Sequence, residues 1–276
     1  VTGRPVVVKF GGELLEHPDR LATVVAAMAR AAGRGPLVVV HGGGKEIDAA
    51  LQAAGLEKRQ VDGLRITDDA TLEIVVGVLA GSVNTRLVAA LGAAGLKAVG
   101  LTGADGACGL SDVAPPHQAV DGRTVDLERV GVPSAAADAT LVRTLLTGGF
   151  VPVVASIGVT ADGRLLNVNA DTFAGRLAER LEARRLVVAG TTAGVLDEKG
   201  ATVSMLEPSD IRRLIASRTA TAGMIAKLRA CEEALANGVG EVVIVDGRDA
   251  GSLEAAVHEN APANATRIVH GMAIRK

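Results

Sequence analysis

Tryptophan and tyrosine are absent from the chain and phenylalanine occurs three times, so the core has to be built from Val, Leu, Ile and the abundant Ala. Cysteine is almost missing too. Cys108 and Cys231 lack metal-ligand spacing and the histidines (His17, His41, His117, His258, His270) are scattered, which excludes an encoded site of the zinc type. The two thiols read as small packing groups. Neither sign of charge is in excess: a net charge of −2 and a pI near 6.3 argue against a nucleic-acid surface and leave small anionic ligands open. The residues before "VVVKFGG" hold no basic-then-apolar segment, and no uninterrupted apolar run of about 18 residues occurs, so the expectation is a cytoplasmic protein without membrane contact. What is present is ample: 276 residues, 48% hydrophobic and 22% charged, can bury a large core as one big or two modest domains.

Hydrophobic period gives the architecture. Val6 to Phe10 and Leu37 to Val40 are short β-branched runs of the kind a parallel strand buried on both faces requires. Between them Leu21, Val24, Val25 and Met28 recur at helical spacing, which makes a βαβ unit ending near Gly33 and Gly35. A long helix is predicted from Asp69 to Ala94, then strands at Ala98 to Leu101 and Val151 to Ala155 around a helix at 137–147. The polar stretch "SDVAPPHQAVDGRTVDLERVGVPS" predicts short antiparallel strands beside the sheet, and "ADGRLLNVNAD" a hairpin turning at Asp162-Gly163. A second βα series, with strands near Leu186 to Ala189 and Val242 to Val245, fills residues 172–276.

Two strand ends carry glycine turns. "VVVHGGGKEIDAAL" puts Gly42, Gly43 and Gly44 between a strand and a helix, and "VVVKFGGELL" puts Gly11 and Gly12 after Lys9. The unpaired N–H groups and positive dipole end of a helix N-terminus suit an anion, phosphate above all. Neither familiar phosphate motif matches, because Glu46 follows Lys45 where a P-loop needs Ser or Thr, and Ile47 stands where a dinucleotide fingerprint needs glycine. A purely structural tight turn stays open at this point. Likewise, Lys9 either snorkels to water from its strand end or serves a ligand outside the carboxyl ends of the strands.

In order along the chain, "VKFGG", "VVVHGGG", "VDGLRITDDATLEIVVGVLAGSVNTRLV", "AVGLTGADG", "LLNVNAD", "GVLDEKG", "TAGMIAK" and "VVIVDGR" resemble the amino acid kinase superfamily, and within it the acetylglutamate kinases, over nearly the whole chain. The resemblance implies an α/β fold, a three-layer αβα sandwich with an open, mainly parallel central sheet. It implies an amino-acid-binding lobe over residues 1–172 and an ATP-binding lobe over 173–276, and transfer of the γ-phosphoryl of ATP, with Mg2+, to the side-chain carboxylate of N-acetyl-L-glutamate, the second step of arginine biosynthesis. Lys9 and Lys227 match the catalytic lysines, and Asp171 the carboxylate that holds them. Gly43, Gly44, Arg65 and Asn167 match the amino-acid site; Gly11, Gly12, Thr191, Gly194 and Met224 match the phosphate and nucleotide site. No protein metal ligand is implied. The competing reading of Arg65 is a surface ion pair with Asp62 or Asp68, Asn169 is expected to support the hairpin, and His41 to orient the turn.

The departures fall in the nucleotide half, where Thr191 replaces the usual Asp, and Ala222 and Ala226 stand in "TAGMIAK". Two alternatives follow: a kinase for carrier-protein-bound aminoadipate or glutamate, and an inactive amino-acid- or nucleotide-binding regulator. Arginine-inhibited members carry a helix before the first strand that links dimers into a ring. With Val1 to Pro5 too short for two helical turns, the expectation is an arginine-insensitive homodimer; the alanine-rich helix that bears Ala49, Ala50, Leu51, Ala53 and Ala54 either supplies its flat apolar contact face or packs that face on the sheet.

Overall fold

Successive side chains of a strand point to opposite faces, and in the first strand, Val6–Phe10, Val6, Val8 and Phe10 join one apolar cluster while Val7 joins another. The same division runs through Leu37–His41, Val151–Ala155, Arg185–Gly190 and Val242–Asp246. A strand buried on both sides needs helices above and below it. In the computed structural model, which describes residues 3–216, 222–258 and 261–270, Pro18–Ala32, Asn84–Ala93 and Ala250–His258 cover one face through Val24, Met28, Leu87 and Leu253. Thr140–Thr147, Ala170–Arg180, Pro208–Ala216 and Ala222–Ala236 cover the other through Val142, Phe173, Ile211 and Leu228. Val1 and Thr221, which open two of the segments read above, lie outside the described residues.

The expected three-layer sandwich is therefore present. Its eight strands run in the order 205–206, 265–268, 242–246, 185–190, 6–10, 37–41, 151–155, 98–102. Every pairing in this sheet is parallel except that of Val242–Asp246 with Ala265–Ile268. The last-mentioned strand, Met205–Leu206 and the helix Pro208–Ala216 were not foreseen as elements in the sequence. The chain leaves Val6–Phe10 toward one side of the sheet and Arg185–Gly190 toward the other, so a topological switch point lies between these neighbours. Ligands of open α/β sheets bind at such a point, outside the carboxyl ends of the strands.

A second sheet of Ile157–Val159, Leu165–Val168, Val130–Pro133 and Ser111–Val113 stands at that end. Its hairpin turns at Asp162-Gly163 as predicted, with Gly163 at φ +85°. The polar stretch forms two antiparallel pairs, and Val130-Gly131 runs parallel to Asn167-Val168, which the sequence reading did not anticipate.

The long predicted helix, Asp69–Ala93, widens into a π-helical turn over Gly77–Val83. By length and composition alone its 25 residues could cross a bilayer, yet Val75, Leu79, Val83, Leu87 and Leu91 are packed inward. In the alanine-rich helix Gly44–Ala53, Leu51 is likewise buried with Ile47 against Val75 and Leu79, so it leaves the proposed dimer face to Ala49, Ala53 and Ala54, which are exposed.

His41 ends the second strand fully buried. Its Nδ1 meets the Gly42 carbonyl at 3.2 Å and its Nε2 the Asn84 side-chain amide at 3.0 Å. A neutral imidazole satisfies both, Nδ1–H donating and Nε2 accepting, and so the ring does orient the glycine turn. Burial pushes its pKa down to about 4. The unfolded chain, with a histidine pKa of about 6.5, takes up this proton first, so the stability contributed is complete above that pH and is lost as pH falls toward 4, about 3 kcal/mol in all. Urea denaturation at pH 7 and pH 4.5 should show the loss in the wild type, and a smaller one in His41→Gln.

Candidate active site

Alternation puts Lys9 on the Val7 side of its strand, beneath the helices Ala170–Arg180 and Ala222–Ala236. These helices approach closely because Gly175 faces Ala234 and Ala230; a Cβ on Gly175 would sit 3.3 Å from that of Ala234. Asp171 lies one turn before this contact and is held there by a cap, the Asn169 side chain accepting from the Asp171 and Thr172 N–H groups at 2.9 and 3.2 Å. Asn169 thus starts a helix rather than merely supporting the hairpin. Asp171 Oδ1 stands 2.8 Å from Lys9 Nζ, and both side chains are about nine-tenths buried. Lys9 does not snorkel. Burial by itself would raise the Asp171 pKa, but the charges of Lys9 and Lys227 outweigh it and hold the carboxyl below its usual range. Lys227 Nζ lies beside Gly190, 3.3 Å from where a Cβ would be.

Above the pair opens a cleft of about 320 Å³ at the carboxyl ends of the strands. Lys9, Gly11, Gly12, Gly43, Gly44, Arg65, Asn167 and Asp171, far apart in sequence, all line it. The glycines answer a demand different from the expected one. A Cβ on Gly12 would lie 2.7 Å from Gly43 Cα, and one on Gly43 would lie 2.8 Å from Leu79 Cδ2. The two turns therefore need glycine in order to touch each other and the π-helical turn, and only Gly44 opens into free space. No side chain caps the helix Gly44–Ala53, so the N–H groups of its first turn remain available to an anion. Lys45, directly behind the glycines, points away; it is exposed, 3.7 Å from Glu16 Oε2.

Arg65 closes the far end. It pairs with Asp48, not with Asp62 or Asp68, and Lys58 holds the other Asp48 oxygen at 2.9 Å. Asp68 instead caps the helix Asp69–Val76 at Thr71 N–H, while Asp62 accepts from Val120 N–H and meets His117. With Nη2 engaged, Arg65 Nη1 is buried and without a partner among the described residues. Such a donor is costly to leave unpaired, and an anionic ligand in the cleft would satisfy it. Asn167 donates to Thr67 Oγ1 at 3.0 Å.

The rest of the expected nucleotide set lies outside this cleft. Thr191 follows the strand Arg185–Gly190 and is half-buried. Gly194 is buried against Thr266 at φ +73°, its N–H donating to Thr192 O, so packing and backbone conformation require glycine there. Met224 packs on the core under the helix Ala222–Ala236. Cys108 and Cys231 are buried, each thiol pushed up to about 12 by desolvation, as packing groups should be. Asp48 and Glu13, both in the cleft region, escaped the sequence reading. The available signal was a carboxylate placed within four residues of a glycine turn that otherwise suits anions.

Two lysines, a carboxylate between them and paired glycine turns thus meet at a switch point, the arrangement expected for transfer of a phosphoryl group. The amino acid kinase family model matches residues 4–246, and the chain belongs to this family. It is 41% identical over 258 residues to the acetylglutamate kinase of Novosphingobium aromaticivorans, covering 89% of this chain and 84% of that one. Against the acetylglutamate kinase of Methanopyrus kandleri it is 41% identical over 243 residues, 87% of this chain and 94% of the relative. Among solved structures, N-acetylglutamate synthase from Neisseria gonorrhoeae, complexed with coenzyme A and N-acetyl-glutamate, superposes with a TM-score of 0.80 at 25% identity, over 96% of this chain and 59% of that one. Carbamate kinase from Giardia lamblia shares the fold, with a TM-score of 0.70 at 16% identity over 98% and 99% of the two chains.

Removing one member of a buried ion pair leaves an uncompensated charge, at a cost of about 3 kcal/mol or more. Lys9→Met should accordingly lower stability by about that much at neutral pH, and adding Asp171→Asn should recover part of it in the same denaturation experiment.

Proposed function

We propose that this cleft performs the acetylglutamate kinase reaction, the second step of arginine biosynthesis. The γ-phosphoryl of ATP passes to the side-chain carboxylate of N-acetyl-L-glutamate, giving an acyl phosphate and ADP. The observation that carries this reading is the arrangement of the cleft: a buried, unpartnered Arg65 Nη1 at one end and the Lys9–Asp171 pair at the other, with two glycine turns between. Arg65 takes the α-carboxylate. Ile47, Leu64, Leu79 and Val130 give the cleft an apolar wall suited to an acetyl methyl and unsuited to a free ammonium. The regulator alternative has less support, since a binding protein has no need to keep Lys9 and Asp171 charged and paired out of water.

The attacking carboxylate is already ionised at neutral pH, its solution pKa being about 4.3, so no general base is required. One of its oxygens forms the new bond to phosphorus as the bond to the bridging oxygen of ADP breaks. The protein's work is positioning and neutralisation. Lys9 faces the transferring group and Lys227 the leaving side, Asp171 keeps the two ammonium groups from parting, and the free N–H groups after Gly43 donate to phosphoryl oxygens. Gly11 and Gly12 border the phosphates. Residues 1–172 then carry the amino-acid substrate and residues 173–276 the nucleotide, with Thr191 near it and its missing carboxylate weakening the grip. Mg2+ bound with the nucleotide would supply charge neutralisation at its phosphates. Assembly as a cytoplasmic homodimer is part of the same reading. The face that would meet the partner is that of Ala49, Ala53 and Ala54 on and just after the helix Gly44–Ala53, which are exposed.

A coupled ADP-release assay with N-acetylglutamate, glutamate, aspartate and carbamate as acceptors tests the reaction, and turnover confined to another acceptor refutes it. Lys227→Ala should lower kcat by about 100-fold or more, since preorganised donors act mainly in the transition state. Arg65→Lys replaces a fork with a point charge. It should raise KM for N-acetylglutamate about tenfold or more with little change in KM for ATP; equal effects on both would remove Arg65 from the acceptor end.

A further inference from the structure

Glu13 is out of keeping with its place. It follows Gly11 and Gly12 in a short 3-10 turn, Gly12–Leu14, on the border of the cleft. Its side chain folds back over the turn, so that a Cβ on Gly11 would overlap both carboxylate oxygens. Across the switch point, Glu13 Oε1 lies 3.4 Å from the position a Cβ on Gly190 would take, and Lys227 Nζ lies 3.3 Å from that same position. Among the described residues this carboxylate makes no hydrogen bond or ion pair; the one side-chain contact to Glu13, from Arg20 Nη1 at 2.9 Å, goes to its backbone oxygen. That bond and the fully buried Leu14 and Leu15 behind it fix the backbone. The root of the side chain is thereby held at the crevice.

A nucleotide whose phosphates enter between the Gly11–Gly12 and Gly190–Thr191 turns would bring several negative charges against an unpaired carboxylate. In a partly desolvated site that repulsion is large. One class of ligand turns it into attraction, a divalent cation shared between carboxylate and phosphates, the arrangement Mg2+ favours. We propose that Glu13 is the protein's own ligand to the Mg2+ of the bound nucleotide and makes nucleotide binding conditional on that ion. The inference rests on the kinase reading and adds to it a protein residue that holds the metal. Asp171 already commits its Oδ1 to Lys9 at 2.8 Å, whereas both Glu13 oxygens are uncommitted among the described residues.

The test is titration calorimetry of ADP into the full-length wild type and Glu13→Gln, each with excess Mg2+ and with EDTA. For the wild type, Mg2+ is expected to tighten ADP binding tenfold or more. In Glu13→Gln the gain should fall below threefold, while Mg2+-free ADP binds at least as tightly as to the wild type because the repulsion is gone. Mn2+ with ADP gives a second readout: the electron paramagnetic resonance spectrum of the ternary complex should change between wild type and variant. Thermal unfolding of the two proteins, if superimposable, establishes that the variant is folded. A variant that keeps the wild-type Mg2+ gain overturns the proposal. So does one that binds ADP more tightly by the same factor with and without Mg2+, since Glu13 would then be a repulsive occupant only. A wild type that binds ADP and phosphorylates N-acetylglutamate leaves the kinase reading standing in either case, whereas one that binds no ADP in any condition overturns both.

Discussion

The Lys9–Asp171 pair is the constraint on which the rest of the site depends. Taking two charges out of water costs several kcal/mol per ion, and their 2.8 Å contact offsets that only while both partners stay in place. Four independent features have to agree for this to hold. Strand alternation turns Lys9 toward the helices, the Asn169 cap fixes where the helix Ala170–Arg180 begins, Gly175 lets the neighbouring helix close in, and that helix carries Lys227. A fault in any one leaves a buried charge unpaired, so the fold and the geometry of the candidate site are secured by the same contacts.

A similar economy governs the glycine turns. Gly12 and Gly43 touch backbone to backbone, and Leu79 of the π-helical turn presses on Gly43. A π-turn is an unfavourable element that persists where packing demands it; here it fills the space that ordinary side chains at Gly43 would have taken. His41 and Asn84 add a buried, mutually satisfied polar link from the strand end to the helix that follows the π-turn. The free N–H groups of the helix Gly44–Ala53 are thus held in place by the packing of the two turns and by the buried His41–Asn84 link before any ligand arrives, which is what preorganisation requires.

Strands buried on both faces were legible because their β-branched runs are continuous, and the two glycine turns because three or two glycines at a strand end admit few explanations. Lys9, Lys227 and Asp171 were legible only together, through their order along the chain, since each alone is an ordinary charged residue. The two strands at one side of the sheet were not legible: Met205–Leu206 has two residues, and Ala265–Ile268 has four, with Thr266 and Arg267 breaking its apolar run. Partner choice was lost for a different reason. Arg65 has three nearby carboxylates in sequence or space, and only the hairpin Gln60–Arg65 folding back on the helix Gly44–Ala53 selects Asp48 over Asp62 and Asp68. Gly194 is fixed by packing on Thr266, a demand that reads the same in sequence as one made by a ligand.

Charge balance in the cleft then explains why a protein with a net charge of −2 can serve such anionic substrates. Lys9 is matched by Asp171 and Arg65 by Asp48, so the cations are anchored at the site and are not exposed as a positive field. Long-range steering is accordingly weak, and binding has to come from short-range donors: the second Arg65 nitrogen, the uncapped helix N–H groups and the Lys227 ammonium. Donors of this kind discriminate by geometry. On the proposed reading they would reward a ligand whose two anionic ends span the distance from Arg65 to Lys9 and give little to a longer or shorter one, which would make the cleft's length, more than its charge, the source of selectivity.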